Sequence, residues 1–195
     1  MRGPRVRRAL VPALAAGLLL AALAGCGGGG GGGGSTSAAD RERDAKLLND
    51  VLGRQLAAVR TYTRLLPTLY GADLEAAQHF RAQEQEHVDA TTKTLRGLGA
   101  EAEPGEETIE AGDLKTRADS LEFLYEMESA TLDFELSVVG KLSAGSPRPL
   151  IAAMAANQAQ RLVLLRQALG AKRLEAIPSA FETGELPAPE RTHGE

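Results

Sequence analysis

The chain has 195 residues, with 22 basic and 26 acidic side chains and a formal net charge of −4. That length suits one domain plus extensions. The acidic balance excludes a nucleic-acid binder, which needs a basic surface, and a single cysteine excludes disulfides within one chain.

The extensions lie at the front. Residues 1–8 carry Arg2, Arg5, Arg7 and Arg8 with no acid, and Ala9 to Ala24 are uncharged. A basic segment before an apolar stretch too short for a comfortable span is the pattern of an export signal over residues 1–25. It runs into Leu23-Ala24-Gly25-Cys26, small residues before the only cysteine, which resembles the bacterial lipobox. Cys26 is therefore expected to be lipidated and to become the first residue. A cysteine placed directly before eight glycines cannot sit in a core. Residues 26–39, rich in Gly and Ser, form a flexible tether. Removal of residues 1–25 takes four arginines and no acid, leaving 18 basic and 26 acidic side chains and a net charge of −8. The expected partner is thus a membrane, reached through the lipid and not through charge, with the domain on its extracytoplasmic face.

Four helical segments follow. From Asp40 to Leu66, apolar residues at Leu48, Leu52, Val59 and Tyr62 recur in steps of three and four, the period of an amphipathic helix. Pro67 and Gly71 close it. Asp73 is the expected cap of a second helix ending at Leu98–Gly99. Residues 100–115, with Pro104, Gly105 and Gly112 among many acids, form a long crossover. Thr116 caps a third helix through Leu142. Ser146-Pro147 starts a fourth, ending near Gly170. Residues 171–195 have no helical period. The expected fold is all-α, a four-helix bundle over residues 40–170 made of two similar hairpins joined by one long crossover.

Each helix places a polar residue mid-length on its apolar face. These are Gln55 on the first, Glu84 and His87 on the second, Glu128 and Glu135 on the third, and Gln158 with Arg161 or Leu162 on the fourth. Residues three apart on a helix point the same way, so Glu84 and His87 can serve one centre. An acid on one helix and Glu-x-x-His on the next, given twice, is the ligand set of a di-iron bundle. Three of the six positions match it: Glu84, His87 and Glu128.

The chain resembles the bacterial ferritin-like domain proteins that occur in exported or lipid-anchored forms. The resemblance runs through Leu47-Leu48-Asn49 to Tyr62, Gln83-Glu84-Gln85-Glu86-His87-Val88-Asp89-Ala90, Lys141-Leu142-Ser143, Ala156-Asn157 to Leu165-Arg166, and Pro178-Ser179-Ala180-Phe181. It implies a ferritin-like four-helix bundle around a carboxylate-bridged metal pair. It also implies that the first-helix glutamate position falls on Gln55, and the fourth-helix glutamate and histidine positions on Gln158 and Arg161. Glu135 stands where the family carries an aromatic residue.

Glutamine is a poor ligand for a hard divalent ion, and arginine, always protonated, is none. Arg161 is expected to act as a built-in cation, salt-bridged to Glu84 and Glu128, with Glu135 a further partner. The alternative turns Arg161 outward and puts Leu162 in the core. The resulting expectation is a lipid-anchored, exported, non-catalytic ferritin-like domain without a cofactor. Its rival is a metal-binding oxidoreductase or metal-handling lipoprotein that uses Glu84, His87 and Glu128 with iron or manganese. No protein partner is legible.

Overall fold

The structure is a computed structural model that describes residues 36–177 except 113, 144 and 146. The expected signal peptide, Cys26 and most of the tether lie outside the described residues, as do Ser146 and the tail from residue 178. All the described residues belong to one compact unit, Ser35–Glu195.

Four helices make up the fold: α1 (Ala38–Leu65), α2 (Gly71–Gly97), α3 (Arg117–Lys141) and α4 (Pro147–Ala168), with a short 3-10 turn at Leu66–Thr68. Among the described residues there is no strand. The local chemistry explains the ends. Ser37 caps α1 by accepting the Asp40 N–H at 3.0 Å, so the helix starts at Ala38 and not Asp40. Thr116 and Asp119 form a reciprocal capping box at α3. Gly99 (φ +76) and Gly170 (φ +105) take the left-handed conformation that ends α2 and the turn after α4. In both, the next residue's N–H reaches back five residues, Ala100 to Leu95 and Ala171 to Arg166, the Schellman closure.

One expected cap is corrected. Asp73 does not cap α2, because the left-handed Gly71 (φ +58) lets the helix begin three residues earlier behind Tyr70. Asp73 instead pairs across the bundle with Arg117.

α1 packs along α2, and α3 along α4, whereas α1–α3 and α2–α4 meet less extensively. The core falls into two apolar clusters. One gathers Tyr62, Phe80, Leu124, Tyr125, Leu162 and Leu165; the other gathers Leu48, Leu52, Leu95, Val138, Ile151 and Met154. On α3 Val138 is buried and Val139 is half-buried. At the far end of the hairpins, buried Asp44 accepts the Ser143 backbone N–H at 3.0 Å and the Ser143 hydroxyl. This ties the start of α1 to the end of α3.

The crossover lies against α1 as an irregular strap. Asn49 accepts the Glu103 N–H at 2.8 Å, Arg54 pairs with Glu107 at 3.4 Å, and Arg60 donates to the Glu107 carbonyl at 2.7 Å. Close approach is possible because position 53 is glycine. A Cβ there would stand 3.0 Å from the Gly105 carbonyl oxygen. Gly53→Leu should therefore lift the strap, and a glutamate-specific protease should cut at Glu101–Glu107 several-fold faster. Gly97→Leu, where nothing stands within 4 Å of the added Cβ, should leave that rate unchanged.

Candidate functional site

Between the two apolar clusters lies a polar layer contributed by all four helices: Gln55, Glu84, Glu128, Gln158 and Arg161, each 1% exposed or less. Arg161 stands at its centre. Its Nη1 donates to Glu84 Oε1, to Glu128 Oε1 at 3.2 Å and to Gln158 Oε1 at 3.0 Å. Its Nε donates to Gln83 Oε1 at 3.1 Å, and its guanidinium carbon stands 5.5 Å over the Phe80 ring. Arg161 points inward and Leu162 is buried as well, because neighbouring positions at this depth of α4 face different parts of the core.

The surrounding bonds orient the acids. Gln158 Nε2 donates to Glu84 Oε1 at 2.9 Å, and the Tyr62 hydroxyl donates to Glu128 Oε1. Gln55 is engaged elsewhere: it accepts from Thr91 Oγ1 at 3.0 Å and its Nε2 contacts Met154 Sδ at 3.2 Å. His87 Nδ1 lies 3.5 Å from Glu84 Oε1, a distance at which a protonated ring favours the carboxylate without a well-formed hydrogen bond. His79 is exposed on another face of α2.

Glu135 is placed differently from expectation. It is buried but forms no ion pair with Arg161, and neither of its oxygens has a hydrogen-bond partner among the described residues. It still lies close enough to the layer to feel the Arg161 charge and the Gln158 side chain, but these do not offset its burial. Glu84 Oε2, Glu128 Oε2, His87 Nδ1 and Arg161 Nη2 are likewise without hydrogen-bond partners.

The charges divide accordingly. Burial opposes ionisation of Glu84, but His87 and the Arg161 guanidinium outweigh it and hold its carboxyl below the usual range. Burial, with the Glu84 charge nearby, pushes Glu128 up to about 7, against the pull of Arg161. Burial, followed by the charges of Glu84 and Glu128, pushes Glu135 up to about 9. One guanidinium thus faces an acid held below the usual carboxylate range, Glu84, and one pushed above it, Glu128, while burial keeps Glu135 protonated.

These donors do not fit a metal pair. Two of the four helices offer glutamine, and a guanidinium with no lone pair to give stands between the acids. Among the described residues no three His, Cys, Asp or Glu side chains are grouped to hold an ion. Gln83, Tyr62, Thr91 and Met154, which complete the network, carried no sequence signal of this role beyond their place on or beside the core faces.

The fold is that of a ferritin-like four-helix bundle. No family model and no curated protein matches the sequence; the likeness is to solved structures. A point mutant of Dps1 from Mycobacterium smegmatis superposes with a TM-score of 0.62 at 15% identity, over 68% of this chain and 99% of that one. A ferritin-like di-iron carboxylate protein from Bacillus anthracis gives 0.58 at 16%, over 69% and 100%. Zinc-soaked Dps from Listeria innocua gives 0.58 at 14%, over 68% and 99%.

Two predictions follow from the layer's charges. Arg161→Met leaves buried acids unpaired and should lower stability by about 3–5 kcal/mol, read from urea denaturation at pH 7. Adding Glu84→Gln and Glu128→Gln should recover most of the loss. For Glu135 the folded pKa exceeds the unfolded one, so between about 4.5 and about 9 the unfolded chain binds fewer protons. Stability then falls as pH rises through that window. Glu135→Gln removes this slope and should raise the melting temperature over wild type more at pH 8.5 than at pH 5. Glu84 acts in the opposite sense: the stability it contributes is lost as pH falls below about 4.5.

Proposed function

We propose that this chain is an exported, lipid-anchored ferritin-like domain that serves the cell envelope as a non-catalytic module, with Arg161 replacing metal charge between Glu84 and Glu128. The observation that carries this reading is the Arg161 Nη1 contact shared by Glu84, Glu128 and Gln158. A guanidinium supplies fixed positive charge and directed donors to buried acids, but it offers no redox change and no open coordination position. Anchoring rests on the sequence around Cys26, and the glycine tether gives the bundle freedom to move beside the membrane.

The second reading is a metal-handling protein using Glu84, His87 and Glu128 with iron or manganese. What favours it is the 3.5 Å approach of His87 to Glu84 and the unpartnered second oxygens of both acids. Carboxylates with one imidazole suit such ions, although Arg161 repels them.

Metal content separates the two. Residues 36–195, incubated with Fe(II), Mn(II) or Zn(II) and desalted, should retain no stoichiometric metal and show no change in melting temperature. About one metal per chain, lost in His87→Ala, would support the second reading. In the full chain expressed in a bacterium, Triton X-114 extraction should carry the wild type into the detergent phase. Labelled palmitate should be incorporated into the wild type and not into Cys26→Ser.

A further inference from the structure

The charges of this bundle are unevenly placed. The strap carries Glu101, Glu103, Glu106, Glu107 and Glu110 with no base among them, and it lies against α1. α1 touches α2 and α3, and α4 touches the same two helices, so α1 and α4 stand diagonally and the acidic strap lies away from α4. From Pro147 to Ala168 there is no acid at all. Between Arg148 and Arg166 the exposed residues are Pro149, Ala152, Ala153, Ala156, Gln160 and Leu164, and the one charge, Arg161, is in the core.

The turn after α4 adds bases and aliphatic side chains. Ala176 donates its N–H to the Lys172 carbonyl at 2.9 Å and is itself fully buried, which pins the turn to the bundle. Held there, Leu174 is 80% and Ile177 55% exposed, and Leu164 on α4 is 50% exposed. Lys172 and Arg173 flank Leu174 and are exposed too. The Lys172–Glu175 contact, at 3.5 Å, lies in water and offsets little of this charge. At the other end of α4, exposed Arg148 is steadied by donating to the Leu142 carbonyl.

These features select the partner. A second copy does not suit them: antiparallel pairing of two α4 helices sets Arg148 against Arg166, and parallel pairing sets each base against itself. Leu174 stands out from the surface, so it suits a fluid partner that closes around it better than a rigid one. A bilayer with anionic headgroups meets both demands, offering phosphates to the bases and an apolar boundary to the aliphatic side chains.

We propose that α4 and the turn at residues 171–177 rest on an anionic lipid bilayer. Arg148, Lys172 and Arg173 meet the phosphates, and Leu164, Leu174 and Ile177 reach the acyl boundary. The contact needs no acyl chain on the protein, so it stands or fails apart from the Cys26 anchor, which detergent partition tests.

The test is sedimentation of residues 36–195, which lie within one compact unit, with vesicles of phosphatidylcholine containing about one-third phosphatidylglycerol. The protein should bind them. Pure phosphatidylcholine should bind roughly tenfold more weakly, as should the anionic vesicles in about 0.5 M NaCl. Lys172→Glu with Arg173→Glu should weaken binding by roughly tenfold or more, and Leu174→Ser by about threefold or more, with melting temperatures unchanged. Arg43→Glu with Lys46→Glu makes the same charge change at exposed positions of α1 and should alter binding by less than about twofold. The proposal is overturned if the anionic vesicles are not bound, if Leu174→Ser binds like wild type, or if the α1 pair costs as much as the Lys172 and Arg173 pair. Binding that appears only after removal of residues 178–195 would make the tail the occupant of this surface and overturn it as well.

Discussion

The arrangement of this bundle depends on one buried guanidinium. Arg161 enters the core 1% exposed, and such a charge is tolerated only where opposite charge and acceptors surround it. All four helices respond. α2 brings Glu84 and Gln83, α3 brings Glu128, α4 brings Gln158 on the turn before, and α1 brings Tyr62 to hold Glu128. The apolar clusters on either side are interchangeable in kind, Leu, Val, Met and aromatic residues filling space. The layer between them is not.

The acids of that layer are unequal because their surroundings are. Glu84 sits beside Arg161 and His87 and is held below the usual range, whereas burial and the neighbouring acids push Glu135 up further than Arg161 and Gln158 pull it down. Three carboxyl groups against one guanidinium would otherwise leave net negative charge in a low-dielectric interior. Protonating the acid that the other two charges disfavour most is the least costly way to restore balance.

Much of the architecture was legible in the sequence because helical period is a local signal. Thr116 and Gly99 mark ends through chemistry confined to a few residues, and the polar positions declared themselves by interrupting apolar stripes. The failures were non-local. Asp73 reads as a cap in isolation, yet its partner is Arg117, on another helix. Asp44 appears as one more surface acid until the fold brings Ser143 to it from 99 residues away. Val139 and Val138 differ by 100° around α3, and only the packing of α4 decides which is buried. Glu135 lies buried on the expected face but forms no ion pair with Arg161, a distinction that period alone does not make.

The depth of the polar layer also determines how the two hairpins mesh. Each hairpin closes through contacts near in sequence, and the interface between them is mostly aliphatic, pinned near its ends by Asp44–Ser143 and Asp73–Arg117. A slide of one helical turn, about 5.4 Å, would set the guanidinium against leucine and leave Glu84 and Glu128 facing methyl groups. The layer thus acts as a vernier between two preformed halves, as single buried polar residues do in coiled coils. The centre of such a bundle is where one alignment of the two hairpins is told from the next.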